Sequence, residues 1–216
     1  MISWRLTHPS TAKNLWKLRN NADDSIGVVN GTWDTLESYA DGPYGHTVGN
    51  FDGTNYIDSG LKLDIDQESF TVCYFLNLST DASRGGMFQR KEGGTYQGML
   101  LGKNENANIN ARVMDTSGTD LTVSVAQSLG SWIHYLMTYD HTNKTLILYV
   151  DGKRVGSDTD GTFTGVMTTS EHQNLQFMGR KNGSGLVIGK AAMYRFFPCV
   201  LTGDEVKQLH NLDRII

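Results

Sequence analysis

The chain has 216 residues, 38% of them hydrophobic, and a chain of that length buries roughly 70% of its unfolded surface on folding, so it reads as one globular domain over residues 1–216. A net charge of -4 with no Lys/Arg cluster excludes the electrostatic footprint of a nucleic-acid binder, and no apolar run is long enough for a membrane-spanning helix. The 24 glycines against 3 prolines suit many short strands joined by tight turns, because glycine reaches the positive φ angles such turns need.

In chain order, MISWRLTHPS has neither the basic head nor the apolar run of an export signal, and ISWRLTH reads as a first strand made in the cytoplasm. Without export the sequons at Asn30, Asn77, Asn143 and Asn182 carry no weight. Trp16 in KNLWKLRNN, flanked by Lys and Arg, reads as an anchoring aromatic on a surface segment. NNADDSIGVVNGTW is a Gly/Asn/Asp-rich loop holding Asp24, Ser25 and Gly27. A turn at Gly42 and Gly45 then leads into a strand through Phe51, Asp52, Gly53, Tyr56 and Ile57. SFTVCYFLNL has the β-branched and aromatic density of a strand buried on both sides.

GGMFQRKEGGTYQGMLLG reads as a hairpin, followed by strands in NENANINARVMD and SGTDLTVSVA. Trp132 to Val155 gives two strands and two tight turns. GSDTDGTFTG reads as a loop, and NLQFMGR begins a further strand. The end of the chain predicts a last strand and one short helix, with Thr202 and Glu205 as a capping box and Val206 and Leu209 as its apolar stripe. Cys73 and Cys199, each inside an apolar run, are expected as reduced core thiols.

The stretch WIHYLMTYDHTNKTLILYVDGKRV resembles the signature hairpin of the LamG-like, concanavalin A-like family, with Trp132, His134, Thr138, Tyr139, Asp140, Tyr149, Asp151 and Gly152 in the family's places. The same resemblance covers the Asp24, Ser25, Gly27 loop, the Gly42 to Ile57 segment, and Gly189, Arg195, Phe197, Leu201, Thr202 and Glu205 near the end. Phe75 stands where the family has Trp. It implies an all-β, two-sheet antiparallel jelly-roll sandwich with one short C-terminal helix, and an inward-packed Trp4. It leaves function open, since this fold serves lectins, glucanases and surface proteins alike.

For glucanase chemistry two carboxyls must face one groove, roughly 5–5.5 Å or 6.5–9.5 Å apart. Only Asp64, Asp66 and Glu68 alternate in the needed way, and they read as a solvated connecting segment. No nucleophile elbow or His-Glu-x-x-His motif occurs, and His134 reads as a packed or hydrogen-bonded residue. Many relatives hold calcium, but where the family has two acidic residues in the last strand this chain has Ala192 and Met193. Asp23, Asp24, Asp140, Asp158 and Asp160 are left as loop oxygens, and no metal or cofactor is expected.

In KNENANINARV, Asn104, Asn106, Asn108 and Asn110 alternate and so share one face of a strand. A row of carboxamides suits vicinal sugar hydroxyls, with Tyr96, Trp33, Tyr39 and Tyr44 as candidate stacking residues. The alternatives are a plain exposed face or a row buried against another subunit. The leading functional expectation is a non-catalytic virion surface protein, a bacteriophage capsid decoration or a tail or fibre component. Its partners would be other virion proteins, copies of itself and a cell-surface glycan, without nucleic acid or membrane insertion. A free lectin-like carbohydrate-binding module comes second and a glycoside hydrolase third.

Overall fold

Ile109, Ala111 and Val113 point into the core, while Asn108, Asn110 and Arg112 between them point away from it. This two-residue period is that of a strand with one face on the core, although Asn110 on the other face is buried as well. The computed structural model describes residues 12–27, 29–63, 68–80, 85–90, 98–103, 108–165, 173–179 and 186–213. Along them run strands β1 (Asn14–Trp16), β2 (Thr32–Trp33), β3 (Tyr39–Asp41), β4 (Thr47–Asp52), β5 (Ile57–Asp58), β6 (Phe70–Leu78), β7 (Gly85–Arg90) and β8 (Gly98–Lys103). They continue as β9 (Asn108–Met114), β10 (Asp120–Ala126), β11 (Ile133–Asp140), β12 (Thr145–Val150), β13 (Lys153–Thr159), β14 (Gln176–Phe177) and β15 (Ile188–Phe197), and helix α1 (Gly203–Asp213) closes the order.

Two antiparallel sheets result, as the jelly-roll expectation requires. The first runs β13-β12-β11-β6-β15-β4-β3 with β1 added on β15, and the second runs β10-β9-β8-β7-β14-β5-β2. Their inner faces meet in one apolar cluster that includes Trp16, Phe51, Tyr74, Leu101, Val113, Met137, Phe177 and Tyr194. At one side the sheets are tied edge to edge, because the free Thr122 N–H of β10 donates to Asp158 Oδ2 of β13 at 2.8 Å. That bond occupies a donor that an edge strand would otherwise offer to another chain.

The local signals hold. Asp24 accepts from Asn14 Nδ2 and from the N–H groups of Leu15, Ile26 and Gly27, which builds its loop around one carboxylate. Between β12 and β13, Asp151 (φ 48) and Gly152 (φ 75) make a two-residue turn with both φ positive, the hairpin geometry that Asp-Gly favours. In α1 the Glu205 carboxylate accepts from Thr202 N–H at 2.7 Å, completing the capping box. Val206 and Leu209 then pack on Cys73, Leu136, Tyr149, Phe197 and Leu201 on the outer face of the first sheet. Cys73 and Cys199 are thiols, not a disulfide.

Four expectations change. The strand expected through Phe51, Asp52, Gly53, Tyr56 and Ile57 is two strands, β4 ending at Asp52 in the first sheet and β5 beginning at Ile57 in the second, because the chain turns between them with Gly53 at φ 88. Trp16 is fully buried instead of anchoring a surface segment, since β1 pairs with β15 and alternation turns Trp16 inward. The first half of the expected loop GSDTDGTFTG is strand β13, an edge strand whose polar residues can stay in water on both faces. In NLQFMGR the strand is only Gln176–Phe177. The expected opening strand, with Trp4, lies outside the described residues.

Candidate functional site

The outward face of the second sheet is built by register. Asn110 lies opposite Ser124 on β10 and Gly102 on β8, Arg112 opposite Thr122 and Leu100, and Asn108 opposite Ala126. Ser124 Oγ donates to Asn110 Oδ1 at 2.9 Å. Arg112 Nε donates to Asp120 Oδ2 at 2.8 Å, and Thr122 Oγ1 donates to the same oxygen at 2.8 Å. Gly102 admits no side chain, because a Cβ there would run into the Gly85 carbonyl and the Gly86 backbone. The β7 backbone fills that position, so the face beside Asn110 is close-packed at Gly102, is bordered by Leu100 and carries carboxamide, hydroxyl and guanidinium groups. Arg112 is paired with Asp120, and Asp58, further across the same face, accepts from Gly60 N–H and Asn174 Nδ2. Such a surface can exchange hydrogen bonds with hydroxyl groups and cover an apolar edge.

Of the expected site residues, Asn108 and Asn110 share this face. Asn104, Asn106 and Tyr96 lie outside the described residues. Trp33 is on β2, at the opposite edge of the same sheet, about 24 Å from β9 at ordinary strand spacing. It is buried, stacks on Phe51 with centroids 4.9 Å apart, and donates from Nε1 to Tyr39 Oη at 3.1 Å. Tyr39 meets it edge to face at 5.6 Å, and burial pushes the Tyr39 phenol up from its ordinary pKa. Both rings are spent on core contacts. Tyr44 lies in the 3₁₀ turn Pro43–Gly45. Ser124, Thr122 and Arg112 are not among the expected site residues, although the polar alternation of LTVSV carries the signal for Thr122 and Ser124, and that of NINARV for Arg112.

The acidic loop residues are engaged in turns and ties. Asp140 accepts from Asn143 N–H and Nδ2, Asp160 from Thr162 N–H and Oγ1, and Asp23 from Asn21 Nδ2. Among the described residues no three His, Cys, Asp or Glu side chains come together as a metal site. Asp64 and Asp66 lie outside those residues, and Glu68 is exposed. Ala192 and Met193, in the places of the family's acidic pair, sit at a bulge of β15 with Met193 at φ 59 and pack with Leu15, Val48 and Phe75.

Residues 51–207 match the laminin G-type family described as the concanavalin A-like lectin/glucanases superfamily. The chain belongs to this superfamily. No curated protein matches the sequence. Among solved structures, this superfamily member is similar to domain 4 of AbnA, a GH43 extracellular arabinanase from Geobacillus stearothermophilus in complex with arabinotriose. That likeness has 18% identity and a TM-score of 0.69, covering 94% of this chain and 100% of that one. The binding domain of Paraclostridial Mosquitocidal Protein 1 matches at 16% identity and TM-score 0.69, covering 93% of this chain and 52% of that one. The binding domain of botulinum neurotoxin serotype G matches at 11% identity and TM-score 0.70, covering 94% and 51%. At these identities the likeness shows the fold alone, and the chain spans about half the length of the two toxin domains. No helix among the described residues is long and apolar enough to cross a membrane.

Proposed function

We propose that this superfamily member is a non-catalytic binding module for uncharged saccharides, acting as one domain over residues 1–216. The observation that carries it is the outward face of the second sheet, where the carboxamides of Asn108 and Asn110 share one face of β9. There Asn110 lies in register with Ser124, whose hydroxyl donates to it, and with Gly102, which carries no side chain. The arabinotriose complex of AbnA domain 4 supports a saccharide as the ligand class, and the toxin domains of like fold support binding as the task. An uncharged sugar suits the part of the face around β9 and β10, where Arg112 and Asp120 pair with each other. The same pairing, with Thr122 on the same oxygen, keeps Asp120 from serving as an acid or nucleophile.

Under this proposal Asn104 and Asn106 stay candidate saccharide contacts by their place in the sequence, and the virion-surface role is an added layer. On a particle the face would serve adhesion, and the sheet edges would serve assembly with capsid or tail proteins. The likenesses above do not bear on that role, and probing purified particles for the chain decides it.

The test is a variant carrying Asn110→Ala and Arg112→Ala. Each hydrogen bond lost to a ligand hydroxyl removes about 1 kcal/mol, so retention on a saccharide column is expected to fall tenfold or more. Asn110 is buried and accepts from Ser124, and Arg112 pairs with Asp120, so the melting temperature of the variant is measured alongside retention, and a drop of only a few degrees shows that the lost retention is not lost folding. Unchanged retention would place binding elsewhere.

A further inference from the structure

His134 lies on the outer face of the first sheet, where β11 runs between β6 and β12 and α1 covers it. It is 1% exposed, and neither ring nitrogen has a hydrogen-bond partner among the described residues. The ring is held by stacking instead. Phe75 of β6 lies at a centroid distance of 4.7 Å and 29°, and His210 of α1 at 5.5 Å and 27°. A neutral imidazole is accommodated in such a stack. An imidazolium would carry two N–H donors and a charge with nothing to accept them.

The charged neighbours do not relieve this. His210 on α1 and Arg195 on β15 both act against a positive charge on His134. From β6 and β12 the groups on this face include Cys73, Phe75 and Tyr149, none of them a carboxylate. Lys153 and Arg154 of β13 and Lys207 of α1 are exposed cations. The Asp151 carboxylate accepts from the backbone N–H of His134 at 3.0 Å. Asp204 and Glu205 lie in the first turn of α1, at the other end from His210, with Glu205 engaged by Thr202.

We propose that α1 is an acid-released clasp, docked on the sandwich while His134 is neutral and lifting off when His134 takes up a proton, with the two sheets staying folded. The separation is built into the packing. Val206 and Leu209 belong to a cluster on the outside of the first sheet, distinct from the core between the sheets. Release would uncover Cys73, Leu136, Tyr149 and Phe197. Burial first, then His210 and Arg195, hold the His134 pKa down from 6.5 to about 3. The docked state therefore binds fewer protons than the released one. Docking is at full strength above pH 6.5, and the docked-to-released ratio falls about tenfold per pH unit from there toward pH 3.

The experiment is amide hydrogen exchange of the full chain at pH 7 and pH 5, corrected for the intrinsic exchange rate. Protection of residues 203–213 is expected to fall by roughly thirtyfold, while β11 keeps its protection. His134→Phe retains the stack and removes the titration, so its helix should be equally protected at both values. Unchanged helix protection in the natural chain, equal loss in helix and β11, or the same pH response in His134→Phe would each overturn the proposal. If that variant does not fold, an imidazole NMR titration of the natural chain decides. The His134 signal must titrate together with loss of the helix signals, and titration with the helix still in place contradicts the clasp.

Discussion

Trp16→Ala is expected to lower the unfolding free energy by about 3–5 kcal/mol, the usual cost of emptying a large aromatic site in a core. Trp16 is fully buried at the edge of the first sheet, where β1 lies on β15. Its ring meets Phe177 of the second sheet edge to face at 5.2 Å, and Phe177 stacks on Tyr194 of the first at 4.0 Å. The indole thus begins a relay of rings that joins the two sheets. Its Nε1–H also donates to the Val29 carbonyl at 3.2 Å, so truncation removes that acceptor's donor as well as leaving a void. Trp16→Phe would refill part of the space and is expected to recover about half the loss. Denaturant unfolding measures both. A loss within about 0.5 kcal/mol, as at an ordinary surface position, would mean that Trp16 is not in the core.

Asp115→Ala is expected to cost about 3 kcal/mol or more. The side chain is buried and joins two segments that are distant in sequence. Oδ1 accepts from Ser117 N–H and Oγ and from Thr119 N–H, which closes the turn between β9 and β10. Oδ2 accepts from Thr164 N–H and Oγ1, which pins the loop after β13 beneath that turn. Hydrogen bonds to a charged group contribute about 1.5–3 kcal/mol each, and only part is lost because Ser117 and Thr164 can turn to water.

Burial would raise the Asp115 pKa, but the bonds from Ser117, Thr164 and Thr119 outweigh it and hold the carboxyl below its ordinary value. A depressed folded pKa means that the unfolded chain binds more protons at low pH. The contribution is therefore whole above about pH 4 and fades as pH falls through the folded value. Melting temperature against pH should show a shallower acid limb in Asp115→Ala than in the natural chain. An identical limb would contradict this role.

What the sequence made legible was local. The capping box of Thr202 and Glu205, the Asp151-Gly152 turn and the Asp24 loop each depend on residues a few places apart, and each forms as read. The alternation of Asn108 and Asn110 with Ile109 and Ala111 placed the two carboxamides on one face of a strand, but whether that face met solvent was not legible, and Asn110 is buried there. The rest depended on register and packing. Lys and Arg beside Trp16 spoke for a surface, yet pairing with β15 decided its direction. Trp33 and Tyr39 sat among turn residues, but Phe51 draws the Trp33 ring inward. Ser124 and Arg112 join Asn110 only through the turn length that sets β10 against β9. His134 meets His210 only after the last strand and helix have come back over the sheet.

The most direct test of the central claim is binding of the purified chain to a broad glycan array, run once with calcium and once with chelator. The account predicts retention of uncharged oligosaccharides in both, without release of reducing sugar, and its loss in the variant with Asn110→Ala and Arg112→Ala. No retention of any saccharide, or release of reducing ends from a bound one, would contradict it.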